Sequence, residues 1–276
     1  MRFAFFGDSW VYHWAHSSDT VRLSNTFKDR YKVEEGKVLP DEASFLFGEL
    51  LRSMGHEAIS YGSPCSTLEY VIRDLEYKHD PSADFHVVFV PAVLRELSHG
   101  SRFWDKVPLD IRKSLEKFLQ FYENYQLRLI WKLNRVAEEK NLRILLIGGH
   151  GPLTDTSAQS TNNLITVITK DLLKDLLLER DPVYAQHNEL KYTNHFRFTT
   201  DIDFNTFAEE GWSKEIIQRM IADIEQTIDL DNPKINPIFR PLLYPDGGHP
   251  NATTQLWLLN KVLLAAEEIY SKRTLV

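Results

Sequence analysis

The stretch RFAFFGDSW, residues 2–10, is an apolar run that ends in Gly7, Asp8 and Ser9. Short runs of aromatic or branched residues closed by glycine or proline are typical of strands buried on both faces of a parallel sheet. Three later segments share this pattern: EAISYG at 57–62, FHVVFVP at 85–91 and RILLIGG at 143–149. The sequence therefore predicts four buried parallel strands.

Helical patterns lie between and after these strands. DEASFLFGELLRSMGH, residues 41–56, can present an apolar side and ends near Gly55. Residues 108–140 carry apolar side chains at spacings of three and four, which predicts one amphipathic helix or two joined end to end. TTQLWLLNKVLLAAEEIYSK, residues 253–272, predicts a C-terminal helix. Strands that alternate with helices favour an α/β fold with a parallel sheet and right-handed crossovers.

The pattern changes between residues 152 and 241. Two segments there are predicted to be helical, NNLITVITKDLLKDLLLERD at 162–181 and SKEIIQRMIADIEQTID at 213–229, and the polar, aromatic stretch between them has no clear period. We therefore predict a single domain over residues 1–276, in which residues 152–241 form a helical insertion or cap on the carboxyl edge of the sheet.

Composition narrows the class of protein. The 276 residues are 43% hydrophobic and 26% charged, as expected of an ordinary globular domain. Asp and Glu outnumber Lys and Arg by 39 to 32, and the net charge of −7 argues against nucleic acid or an anionic membrane as a partner. The single cysteine, Cys65, excludes an intrachain disulfide. With no signal peptide or membrane-length apolar run, the expected location is cytoplasmic.

Ser9 and the later stretch PDGGHPN, residues 245–251, contain the groups that acyl transfer requires. A serine hydroxyl becomes a nucleophile when a histidine takes its proton and a carboxylate orients that histidine. Asp246 and His249 are three residues apart on a glycine-containing turn. The alternative is structural: Asp8 and Ser9 cap a turn, and the Asp246 turn leads into the last helix.

Taken together, FFGDSW, Gly62 in YGSPCSTLEYV and the Asp-x-x-His of DGGHPN resemble the blocks of the GDSL or SGNH hydrolases, in the same order. The resemblance implies a flavodoxin-like three-layer α/β/α sandwich that acts as an esterase or carbohydrate deacetylase. It implies that Ser9 is the nucleophile, His249 the general base and then acid, and Asp246 the group that orients the imidazole. The backbone N–H groups of Ser9 and Gly62 are implied as oxyanion donors.

One block departs from this family. Members usually carry Gly-x-Asn-Asp after the third strand, where the Asn side chain is a further oxyanion donor, but no Asn occurs between Asp84 and Glu123. Alignment of the third strand places the missing side chain nearest Val93. Loss of one oxyanion donor typically lowers turnover by about 10²- to 10³-fold. Arg95 or His99 would be the substitute, or both are solvated surface residues.

Four residues near the predicted strand ends could contact a substrate. Asp8, Trp10, Arg95 and His150 are predicted to contact a small-molecule or carbohydrate ester. No cofactor is expected, and no metal site, since His13 and His16 lack a third ligand.

The function predicted is a serine hydrolase of small O-acyl esters. The alternatives are an acyltransferase with the same triad and a non-catalytic module of the same fold. The oligomeric state is left open.

Overall fold

The computed structural model describes residues 1–8, 11, 51–52, 54–63, 66–91, 115–149, 151–172, 175–176, 179 and 252–273. Within them the strands are β1 (Arg2–Phe6), β2 (Glu57–Ser60), β3 (Phe85–Val90), β4 (Ile144–Gly148) and β5 (Ile165–Thr169). The helices are α1 (Leu68–Lys78), α2 (Leu115–Lys140), α3 (Asp155–Gln159) and α4 (Ala252–Arg273). None of the described helices is both long and apolar enough to cross a bilayer.

The five strands form one sheet in the order β2-β1-β3-β4-β5, and every neighbouring pair is parallel. Ala4 of β1 pairs with Ile59 of β2 on one side and with His86 of β3 on the other. This order is that of flavodoxin-like doubly wound folds, in which the direction of winding reverses between β1 and β3. The predicted fold class, an α/β sandwich with a parallel sheet, is confirmed.

The core consists of two apolar clusters, one on each face of the sheet. Alternate side chains of a strand point to opposite faces, so Ala4 and Phe6 join the cluster covered by α1 and α2. Phe3 and Phe5 join the other cluster, which is covered by α4. Helices on both faces make three layers, and β1 is buried on both sides as the apolar run of the sequence predicts.

The four strands predicted from the sequence are all present, within a residue or two of the predicted bounds. The helical pattern of residues 108–140 corresponds to α2 over its described part, and the predicted C-terminal helix is α4. Of the predicted helix at 41–56, Leu51 and Arg52 are helical. Gly55 follows them with a φ of 82°, the left-handed conformation that often ends a helix.

The helical interpretation of residues 162–181 is wrong at its start, because Ile165–Thr169 is strand β5, paired with β4. Asn162 begins the turn that leads into β5. It accepts hydrogen bonds from Leu164 N at 3.1 Å through its side chain and from Ile165 N at 3.1 Å through its backbone. The β-branched run ITVIT favours a strand once a sheet edge is available to pair with it. The remainder of the predicted insertion, from residue 180 to 241, lies outside the described residues and stays a prediction.

His86 is a buried titratable residue in the central strand β3. Its side chain is packed at 6.1 Å from the ring of Phe6, and the residue is 2% exposed. Neither ring nitrogen has a hydrogen-bond partner among the described residues. Burial lowers the pKa of His86 to about 4; the nearby backbone of Asp80 and Arg143 and the Asp80 carboxylate oppose this more weakly, and His79 reinforces it. The folded protein therefore holds this imidazole neutral.

This burial predicts a pH-dependent loss of stability. The pKa of His86 is about 4 in the folded protein and 6.5 in the unfolded chain. Between these two pH values only the unfolded chain binds a proton at this residue. The free energy of unfolding is therefore highest above pH 6.5 and falls as the pH is lowered toward 4. When the pH is lowered from 8 to 5, the free energy of unfolding should fall in both proteins. The fall should be about 2 kcal/mol larger in the wild type than in His86→Leu. Urea unfolding at both pH values measures this; equal pH dependence in the two proteins would contradict it.

Candidate active site

The carboxyl ends of β1 and β2 bring two of the sequence blocks together. Tyr61 N donates to Phe5 O at 2.8 Å and continues the strand pairing, and Ser63 N then donates to Gly7 O at 3.1 Å. The backbone that precedes Ser9 is thus hydrogen-bonded to the loop that contains Gly62. The side-by-side placement of these blocks follows from the parallel pairing of β1 with β2, since both loops leave the sheet at the same edge.

Gly7 allows the chain to turn tightly at the end of β1. A Cβ at this position would lie 2.5 Å from Val11 Cγ2 and 2.9 Å from Phe89 Cβ, so the loop packs against both the following helical residue and β3. Val11 N donates to Asp8 O at 3.1 Å, so the backbones of these two residues are in direct contact. Asp8 is only 2% exposed. The chain after β1 is therefore held close to the crevice between β1 and β3.

The Gly62 N–H, which the family resemblance implies as an oxyanion donor, has a partner in this structure. It donates to Ser60 Oγ at 3.1 Å, and Ser60 Oγ in turn donates to Val11 O at 3.4 Å. Sequence reasoning missed Ser60, although a serine two residues before a glycine is a known signal for a side-chain turn. The hydroxyl of Ser60 connects the loop after β2 to the segment after β1.

The loop after β4 lies across the end of β3. Gly151 N donates to Val90 O at 3.1 Å, and a Cβ at Gly151 would lie 2.2 Å from Pro91 O, so the two backbones are in close contact. Gln126 of α2 binds the same loop through two hydrogen bonds. Its Nε2 donates to Pro152 O at 2.9 Å, and its Oε1 accepts from Thr154 N at 2.8 Å. These contacts fix the backbone that follows His150.

Gln126 lies in a buried polar pair that sequence reasoning also missed. It is fully buried, and its amide lies 3.5 Å from the hydroxyl of Tyr122, one turn earlier on α2. Burial raises the pKa of the Tyr122 hydroxyl, which stays protonated. The sequence does place a polar residue, Gln126, within the apolar stripe of α2. Because a buried amide must find hydrogen-bond partners, this position could have predicted a buried polar contact.

Two of the predicted site residues, Asp8 and Gly62, are described, and both lie at the carboxyl edge of the sheet. The others lie outside the described residues: Ser9, Trp10, Arg95, His150, Asp246 and His249. The triad distances and the four substrate contacts therefore stay predictions. In the part of the chain that is described, no group of three or more His, Cys, Asp or Glu side chains could hold a metal ion.

A second polar cluster lies away from these blocks, between the chain after β5 and α4. Trp257 Nε1 donates to Glu179 Oε2 at 2.6 Å, and Lys261 forms an ion pair with the same carboxylate. The Lys261 ammonium also lies 5.2 Å from the centre of the Trp257 ring. Hydrogen bonds from Lys261 and Trp257 lower the pKa of Glu179. The cluster's polar groups pair with each other, which is typical of a structural contact.

Comparison with known proteins gives similarity in structure only. No family model and no curated protein sequence matches the chain. Similar solved structures include an acetyl xylan esterase, at 16% identity and a TM-score of 0.38 over 96% of this chain and 99% of that one. A lipase/acylhydrolase from Enterococcus faecalis is similar at 13% identity and a TM-score of 0.33, over 98% of this chain and 96% of that one. A GDSL-like lipase from Bacteroides thetaiotaomicron is similar at 11% identity and a TM-score of 0.35, over 97% and 88%.

The Gln126 contacts predict a sizeable structural role. Gln126→Leu leaves the Pro152 carbonyl and the Thr154 N–H buried without their partner, and each such group costs about 1–3 kcal/mol. With two such groups, we expect the unfolding free energy to fall by about 2–6 kcal/mol in urea titrations. Gln120→Leu, at an exposed position of the same helix, is the control and should change it by less than about 0.5 kcal/mol. Equal effects of the two substitutions would refute a specific role for Gln126.

Proposed function

We propose that the protein is a serine hydrolase that cleaves small O-acyl esters, with an acetylated carbohydrate as the favoured substrate class. The observation that supports this most directly is the hydrogen bond from Ser63 N to Gly7 O at 3.1 Å. It joins Gly7, which precedes Asp8 and Ser9 in the sequence, to Ser63, which follows Gly62, at one edge of the sheet. That edge is where ligands bind in open α/β sheets, at the point where the winding reverses.

The proposed reaction is acyl transfer through Ser9. The Ser9 Oγ attacks the acyl carbon as His249 takes its proton, and the C–O bond to the alcohol breaks as His249 returns that proton to the leaving oxygen. Water, deprotonated by His249, then attacks the acyl-enzyme; the C–Oγ bond breaks as His249 returns the proton to Ser9 Oγ, and the acid leaves. Asp246 orients the imidazole throughout. Backbone N–H groups of Ser9 and Gly62 stabilise the negative charge on the acyl oxygen.

An activated Ser9 should react with a fluorophosphonate, which labels serines whose hydroxyl has a base beside it. We expect the wild type to be labelled and Ser9→Ala to remain unlabelled, as detected by the mass of the intact protein. Since triad members act as a unit, Ser9→Ala and His249→Ala should lower turnover of an ester similarly, and the double variant little further. A folded wild type that stays unlabelled would overturn the hydrolase proposal and favour a non-catalytic module.

The absent third-block Asn predicts weak activity that a single substitution improves. Because Val93 is nearest the missing donor in the sequence alignment, Val93→Asn should raise the turnover of p-nitrophenyl acetate, by up to about 10²-fold if the new amide faces the oxyanion. Val93→Leu, which adds size without a donor, is the control and should give no gain. A wild type already as fast as ordinary esterases would contradict this prediction and direct attention to Arg95 and His99.

A further inference from the structure

The end of β2 contains a side-chain turn at the position where the proposed oxyanion donor lies. Ser60, the last residue of β2, accepts a hydrogen bond from Gly62 N through its Oγ at 3.1 Å. The same Oγ donates to Val11 O at 3.4 Å. A hydroxyl has a single hydrogen to donate, so both the donor and an acceptor function of Ser60 are used in this arrangement.

Gly62 differs from its neighbours in how its N–H is held. Tyr61 N donates to the backbone oxygen of Phe5 and Ser63 N to that of Gly7, at 2.8 and 3.1 Å. These two hydrogen bonds join neighbouring stretches of backbone and break only if the loop moves. Among the described residues the Gly62 N–H is bound only by a side chain, and Ser60 and Gly62 are both partly exposed. Rotation of Ser60 about χ1 frees this N–H and leaves the backbone in place.

We propose that the Ser60 hydroxyl masks the Gly62 N–H in the resting protein and is displaced by the oxyanion during catalysis. This inference rests on the proposed hydrolase function. A hydrogen bond to a charged acceptor is about twice as strong as one between neutral groups, so a developing oxyanion can compete with the hydroxyl. Breaking the neutral bond first lowers the rate, by about 2- to 10-fold for a typical intramolecular hydrogen bond.

Four proteins separate the hydroxyl from the size of the side chain: the wild type, Ser60→Ala, Ser60→Thr and Ser60→Val. Thr and Val have nearly the same shape, and Thr alone keeps the hydroxyl. We expect Ser60→Ala and Ser60→Val to react with a fluorophosphonate, and to turn over p-nitrophenyl acetate, about 2- to 10-fold faster than the wild type. Ser60→Thr should match the wild type. The gain should appear in kcat, because the masked donor acts on the transition state.

A second measurement follows the hydrogen bond independently of activity. Amide hydrogen exchange of Gly62, followed by NMR, should be faster in Ser60→Ala and Ser60→Val than in the wild type and Ser60→Thr. Exchange at Tyr61 and Ser63, whose N–H groups donate to backbone oxygens, should stay the same in all four proteins. A change at all three amides would mean that the loop itself has loosened, and would count against masking.

The outcomes distinguish this inference from the function on which it rests. If the wild type and every variant fail to react while folded, both the hydrolase proposal and the masking are overturned. If the wild type reacts and Ser60→Ala or Ser60→Val reacts no faster, or more slowly, the hydrolase proposal stands. Masking is then wrong, and Ser60 instead positions the loop for catalysis.

Discussion

The burial of β1 on both faces, between β2 and β3, is the constraint on which the rest of the structure depends. Its four buried residues, Phe3 to Phe6, supply side chains to both core clusters and so hold the two helical layers to one sheet. Because β1 is internal, the chain that follows it lies beside the loops that follow β2 and β3. At this point Gly7 packs against Phe89 of β3 and accepts a hydrogen bond from Ser63.

The same edge is held together largely by backbone contacts. Gly7 accepts from Ser63, Val90 accepts from Gly151, and Gln126 binds two backbone groups of the loop after β4. A site that depends on fixed N–H donors gains from such a frame, because donors already aimed at the developing charge need no reorganisation during the reaction. The proposed masking by Ser60 adds one movable contact to this frame. In this proposal a rotation of the Ser60 side chain exposes or covers the Gly62 N–H, and the backbone of the loop does not move.

Sequence reasoning found β1 to β4 because each is a short apolar run with a glycine or proline at its end, a local signal that burial on both faces requires. β5 was missed, since its run ITVIT continues into residues with helical spacing and only pairing with β4 distinguishes the two conformations. The Gly62 block was found by resemblance. Gln126 was not, because its partner Pro152 is distant along the chain. Ser60 was missed despite its local contact with Gly62, because its second partner, Val11, is also distant.

The sequence by itself determined the α/β class, four of the five strands in the described part of the chain, and the order of the candidate catalytic blocks. These properties reside in local hydrophobic patterns and short motifs, which the sequence displays directly. The tertiary structure alone decided the strand order β2-β1-β3-β4-β5, the contact between Ser63 and Gly7, and the partner of the Gly62 N–H. Strand order and hydrogen-bond partners join residues far apart along the chain, and such pairings follow from the packing of the whole sheet.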